Sequence, residues 1–364
     1  VRSLLAVLLA ACSFSPAALP AGGGPDAPIA DQADGPLVVD APAPDRPPLV
    51  DAPRSDAAPP DAEADPCPSP SIALTNGTPV VGMLSGASAY TPTCRAAGTT
   101  GAEAFYHIDV ANANGADLVI DVVDLEPTLD TILDVTGACV GSPGSGQCSD
   151  VGAPGAGESE VVRSVGTTRS YIAVDSVAGT SGRFSVAAFL RAVVGDGAVC
   201  SPELTSSRCN LGQHCVDLDD DGVAKCENLE PLSDVGNNDD PCAANIYDVK
   251  ADAAYLGSFD TAADVDVIKL EPSASGMLRV VLDDGFGGCG VDAALDLLGG
   301  NDCKHTAVIA TDENSGLGPC PLFRGVPVVG GETYWLRVRA GTGAAGKIKN
   351  GAMYTLVIDF LYGR

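Results

Sequence analysis

Two stretches of this chain run through the same succession of short β-prone segments. In the first, FYHIDV, DLVIDVVDL, TLDTILDVTG, TRSYIAVDSV and GRFSVAAF follow one another between residues 105 and 189. In the second, VDVIKLEP, GMLRVVLDD, GVDAALDLLG, ETYWLRVRAG and GAMYTLVIDF fill 265 to 360. A glycine-led entry precedes each series, VVGMLSGASA and YLGSFDTAAD. Several segments alternate: Leu118, Ile120 and Val122 share one face with Asp121 on the other, and Tyr106, Ile108 and Val110 share a face. Glycine, asparagine and proline fill the gaps and no helical period is sustained, so these are strands joined by turns. The repeated order reads as an internal duplication. The expectation is an all-β chain with two antiparallel β-sandwich (jelly-roll-like) domains, and YTLVIDFLYG as a strand well inside a sheet.

The order of these segments resembles that of the bacterial pre-peptidase C-terminal domain family. The resemblance rests on Tyr106, Asp130, Leu133, Val135, Tyr171, Val174, Gly182 and Phe184 in the first stretch. In the second it rests on Val267, Asp292, Leu295, Leu297, Tyr334, Leu336, Gly351 and Tyr354. The Cys139-to-Cys148 loop followed by Asp150 is similar to a disulfide-containing variant of that domain. The resemblance implies compact β-sandwiches of the kind that accompany secreted hydrolases and bind surfaces or substrates. Two departures stand out: no peptidase domain accompanies either copy, and Val267 follows Asp266 where the family often has an aromatic.

The N-terminal VRSLLAVLLAAC places one basic residue, Arg2, before an apolar run from Ser3 to Ala11. That run is too short to span a bilayer and reads as an export segment, residues 1–11. Leu9-Ala10-Ala11-Cys12 resembles the lipobox of bacterial lipoproteins, which implies cleavage before Cys12 and a lipid anchor on its thiol. No other run reaches transmembrane length. Residues 12–66, dominated after Ala21 by proline, alanine and aspartate, cannot bury enough apolar surface to offset ordering entropy and read as an extended disordered tether. Boundaries follow at 67–194 for the first domain, 195–239 for a Cys-rich linker and 240–364 for the second domain.

Of thirteen cysteines, setting Cys12 aside leaves twelve: Cys67, Cys94, Cys139, Cys148, Cys200, Cys209, Cys215, Cys226, Cys242, Cys289, Cys303 and Cys320. An even set in an exported chain, none in CxxC, reads as disulfides rather than zinc or redox sites. Within the linker three pairings are open for its four cysteines; Cys200 with Cys215 and Cys209 with Cys226 is the favoured one.

A net charge of -28 excludes nucleic acid as partner, because phosphates need a cationic surface. The linker stretch DLDDDGVAKC puts Asp217, Asp219 and Asp221 at alternating positions with Gly222 where an EF-hand loop turns. Its closing ligand is displaced, since Glu227 comes one residue early, and Lys225 stands among the ligands. The stretch is thus a calcium candidate through Asp217, Asp219, Asp221 and Glu227, set against a solvated acidic turn between disulfides. GTGAAG (341–346) matches a dinucleotide pattern but precedes a strand, not the helix such a site needs, and DDGFGGCG lacks the residues of a phosphate loop. His107, His214 and His305 fall in different regions, and no HExxH or GxSxG elbow is present. Trp335, with Arg337 and Arg339, is a candidate docking or sugar-stacking patch if exposed, and otherwise core or edge protection.

The functional expectation is a non-catalytic, surface-exposed lipoprotein acting as a binding or accessory module at an outer membrane or cell surface. It needs no cofactor beyond possible calcium, and its partner is an envelope or extracellular protein or polysaccharide. A secreted hydrolase with a loop-built site and a structural envelope protein are the alternatives.

Overall fold

The computed structural model describes residues 70–362 apart from 96–97, 111–114, 138–146, 166–168, 235, 237, 244–245, 301, 343–346 and 349–350. The export segment, Cys12, the tether, Cys67, Cys139 and most of GTGAAG therefore lie outside the described residues. Every described element is a strand, and among the described residues no helix is long and apolar enough to cross a membrane.

The first half contains β1 (Ile72–Ala73), β2 (Val80–Leu84), β3 (Ala104–Asp109), β4 (Asp117–Asp124), β5 (Thr131–Thr136), β6 (Gln147–Ser149), β7 (Glu158–Val162), β8 (Arg169–Ser176) and β9 (Gly182–Val194). A Cys-rich segment adds β10 (Ser207–Cys209), β11 (His214–Val216) and β12 (Lys225–Glu227). The second half contains β13 (Leu232–Ser233), β14 (Asp248–Val249), β15 (Ala253–Phe259), β16 (Val265–Leu270), β17 (Gly276–Asp283), β18 (Ala293–Gly300), β19 (Thr306–Asp312), β20 (Leu322–Val328), β21 (Tyr334–Ala340) and β22 (Ala352–Tyr362).

The two halves share one strand order. One sheet of the first half runs β1-β3-β8-β5-β6 and its counterpart runs β14-β16-β21-β18-β19. The other runs β2-β9-β4-β7, matched by β15-β22-β17-β20. In both halves the latest strand, β9 or β22, lies in the middle of its sheet, as expected for YTLVIDFLYG. Alternation then sends one face of each strand into a shared core. Leu118, Ile120, Val122, Phe184 and Val186 meet Ile108, Leu133, Ile172 and Val174 in the first half. Leu278, Val280, Leu282, Leu356 and Ile358 meet Ile268, Leu295, Leu336 and Val338 in the second. Each such side chain contributes roughly 1.5–3 kcal/mol when fully buried.

The glycine of each entry segment has a steric reason. Gly82 lies opposite Phe184 and Gly257 opposite Tyr354. A Cβ there would fall 2.4 Å from the Phe184 ring and 2.3 Å from that of Tyr354, so the cross-strand ring occupies the missing side chain's space.

Register corrects the residue-by-residue matching of the halves. Ala173 pairs with Asp134, and Arg337 pairs with Asp296. Trp335, not Tyr334, therefore takes the place of Tyr171, and Ile268, not Val267, takes that of Tyr106. Adjacent aromatics made the sequence pattern compatible with either frame.

Disulfides hold the segments that strands do not. Cys200–Cys215 and Cys209–Cys226 cross-link the Cys-rich segment. Cys94–Cys148 and Cys242–Cys303 tie surface segments to sheet edges, and Cys289–Cys320 joins two glycine-bearing loops. Cys148 pairs with Cys94, so the Cys139-to-Cys148 loop is not closed by a bond between its own ends.

The described residues fall in one unit, in which the halves meet along a tight seam. Gly287, Gly288 and Gly318 abut Arg191, Val161 and Ser159 across it, each too close to admit a Cβ without a shift. Gly287 and Gly288 of DDGFGGCG are thus packing residues. Gly318 N donates to Asp121 (2.8 Å), Ala153 N to Asp292 (2.7 Å), and Lys347 Nζ to Asp130 (2.6 Å) and Asp150 (3.0 Å).

Candidate functional site

The Cys-rich segment lies on the outer face of the β15-β22-β17 surface. Val216 packs with Val281, Leu322 and Val357 there, which buries β22 on both faces. Beside this contact is a cavity of about 260 Å³. Its floor is two cross-strand rows, Leu256–Thr355–Asp283 and Val357–Val281, all pointing away from the core. Pro202, Leu204 and the turn from Arg208 to Cys215 form one wall, and the Gly285–Gly287 turn forms another. The disulfides of the Cys-rich segment hold that first wall in shape, so the cavity is built from constrained elements.

Behind the wall lies a buried ionic cluster. Arg208 grips Asp117 through Nε (2.5 Å) and Nη2 (3.2 Å) and donates Nη1 to the Cys209 carbonyl. Arg191, fully buried, donates to Asp117 (3.2 Å), to the Leu204 carbonyl (3.1 Å) and across the seam to the Gly287 carbonyl (2.5 Å). Burial pushes the Asp117 carboxyl up, but the hydrogen bonds from Arg208 and Arg191 outweigh it and hold it below its usual range. The cluster joins both halves to the Cys-rich segment.

Two titratable groups line the cavity without such partners. Burial, reinforced by Asp284, pushes the Asp283 carboxyl up to about 7; its hydrogen-bond donors are the backbone N–H groups of Gly285 and Gly287. Burial pulls the His214 imidazole below its usual value. No motif in the sequence singles out His214, because its place at the cavity follows from the pairing of distant strands.

Trp335, Arg337 and Arg339 do not form an exposed patch. Trp335 is only 3% exposed and packs with Val267, Leu298, Ile246 and Cys303. The segment tied down by Cys242–Cys303 covers that sheet face, which the strand pattern alone could not reveal. Arg337 and Arg339, on the same face, donate to Asp296 at 2.7–3.0 Å, so they complete a buried carboxylate instead of presenting cations.

The acidic turn is assembled in part. Carboxylate oxygens of Asp217, Asp219 and Asp221 lie within 4.8 Å of one another, and Glu227 is not in that group; it stands on β12 opposite His214. Lys225 Nζ contacts Asp219 (2.8 Å) and Asp221 (3.1 Å), so its ammonium supplies the positive charge there. A divalent ion at these residues has to displace it. Cys200, Cys209 and Cys215 also approach one another, but as disulfide sulfurs they are not thiolate ligands. His107 Nδ1 shares a hydrogen bond with Ser71, and exposed His305 pairs with Asp302, so the three histidines do not converge.

No protein-family model and no curated protein matches this chain. Among solved structures, the pre-peptidase C-terminal domain of a collagenase from Bacillus anthracis is 15% identical, covering 32% of this chain and 96% of that one at a TM-score of 0.24. The CUB1-EGF-CUB2 region of rat MASP-1 is 11% identical over 79% of this chain and 99% of that one, TM-score 0.18. The PBSX exported protein XepA is 10% identical over 77% and 86%, TM-score 0.20. Likeness at this level is generic to small β domains and assigns neither family nor activity.

Proposed function

We propose that the protein is an exported, non-catalytic binding or accessory module whose ligand enters the cavity beneath the Cys-rich segment. On this reading residues 67–194 and 240–364 are two jelly-roll-like β-sandwich domains, bridged by 195–239. The tether of residues 12–66 holds them off a bacterial envelope through a lipid on Cys12. The observation that carries the reading is the cavity itself: a mainly apolar floor that includes Asp283, one disulfide-braced wall, and His214 at its lining. The other charged clusters join structural elements, as Arg337 and Arg339 do at Asp296.

The test is a screen of the mature chain against peptidoglycan, polysaccharides, envelope extracts and small-molecule libraries. Leu211, an exposed lining residue, offers a blocking variant. Saturable binding lost on Leu211→Trp supports the proposal. Binding indifferent to Leu211→Trp moves the site elsewhere, and substrate turnover overturns the non-catalytic reading. For the anchor, Cys12→Ala should release the protein from membranes; unchanged partitioning removes the lipid from the account.

A further inference from the structure

We propose that the cavity beneath the Cys-rich segment selects a compact, mainly apolar molecule with one cationic amine head, which pairs with Asp283. The inference rests on the binding reading above and narrows it to a ligand class.

Size comes first. A dry cavity of about 150 Å³ holds benzene, so the 260 Å³ here accommodates a substituted six-membered ring rather than a long chain. Leu204, Leu211, Leu256, Val281, Phe286 and Val357 supply apolar walls for such a body.

Polarity decides the head. The arginine at the lining, Arg208, has all three donor nitrogens engaged, on Asp117 and the Cys209 carbonyl. Arg191 lies behind Asp283, but its Nη atoms are directed to Asp117, Leu204 and Gly287. Neither arginine is therefore turned toward an anionic head; the other lining donors, on Asn210, Gln213, His214 and Thr355, are neutral, and Asp284 adds a second carboxylate on the same turn. Asp283 stands in the row Leu256–Thr355–Asp283 on the cavity floor with only backbone donors from its own turn. It keeps acceptor capacity, as a carboxylate offers about four lone-pair sites. Arg191 acts on Asp283 only at a distance and does not offset the cost of burying the charge, so a ligand ammonium in direct contact favours the ionised carboxylate. The imidazole of His214, with burial favouring its neutral form, offers a further acceptor on the opposite wall.

Three probes of one shape separate the possibilities: cyclohexylmethylamine, cyclohexylmethanol and cyclohexanecarboxylate, titrated calorimetrically into the mature chain at pH 7. The expected order is amine first by at least tenfold over the alcohol, with the carboxylate not binding. Asp283→Asn should erase the amine's advantage, and Leu211→Trp should abolish all binding. Amine and alcohol bound equally, both lost on Leu211→Trp, overturns the amine assignment and leaves the cavity reading standing. Carboxylate bound best overturns the charge argument outright. Absence of binding by all three removes the ligand class proposed here, while the broader screen continues to judge the module. Because the ranking is read on the unaltered protein, misfolding of Asp283→Asn would not rescue the proposal.

Discussion

Asp134 on β5 and Asp296 on β18 occupy the same place in the two halves, and both are almost wholly buried. Each accepts from a threonine hydroxyl, and their other partners differ. Asp134 accepts hydrogen bonds from Tyr90 Oη (2.9 Å), Thr93 N (2.8 Å) and Thr93 Oγ1 (3.3 Å), all from a loop held by Cys94–Cys148. Asp296 accepts from Thr311 and from Arg337 and Arg339 on the adjoining strand. Where the second half has Arg339, the first has Asp175. A buried carboxylate at this point of the sheet can thus be completed by neutral loop donors or by cations on a strand.

The largest expected effect lies on the charged side. Replacing both Arg337 and Arg339 with Met leaves Asp296 buried with Thr311 alone, a loss of about 3–5 kcal/mol. Urea titration checks it, and an effect no larger than that of Tyr90→Phe would erase the distinction between the halves.

Next is pH. Burial pushes the Asp175 carboxyl up to about 7, so the folded protein keeps a proton that the unfolded chain releases near 4. Its contribution to stability therefore falls as pH rises from about 4 to about 7, by about 1.4 kcal/mol per unit of displacement. Asp296 runs the other way: the arginine and threonine hydrogen bonds outweigh burial and hold it low, so its contribution is lost only in acid. Asp175→Asn should flatten the decline between pH 4 and 7. An unchanged stability profile would show that Asp175 does not carry it.

The covering segments give a third contrast. Trp335 is the single tryptophan, so its fluorescence reports the second half. Cys242→Ser with Cys303→Ser should cost about 2–4 kcal/mol and red-shift the emission as the cover loosens. Cys94→Ser with Cys148→Ser should leave the emission unmoved. A shift in both would mean that the halves do not loosen independently.

The smallest effect is Tyr90→Phe, which removes one of three donors to Asp134 and should cost about 1–1.5 kcal/mol. A larger loss would make the loop donors as demanding as the arginines.

The strands and the central position of β22 were legible because alternation is local: Leu356, Ile358 and Phe360 face one way whatever surrounds them. The Cys-rich pairing was nearly so, with four cysteines in a short span. Trp335 was not legible, because its cover includes Cys303, whose disulfide partner lies 61 residues away. Arg337 and Arg339 could be assigned to one face from their spacing, but Asp296 beneath them emerges only from strand register. The cavity draws on three distant stretches, around Arg208, Asp283 and Thr355, none of which carries a motif by itself.

The central placement of β9 and β22 also sets an order on how each half comes into being. Until β22 arrives, β15 and β17 each lack their neighbour, leaving a gap at the middle of the sheet with two open edges. The hairpins β5–β6 and β18–β19 can seed the other sheet of each half, but the sheet built around β9 or β22 closes only with its latest strand. Such long-range closure slows folding and prolongs exposure of unpaired edges to other chains. A chain threaded through a membrane from its N-terminus would complete the first half while the second still waits for its keystone.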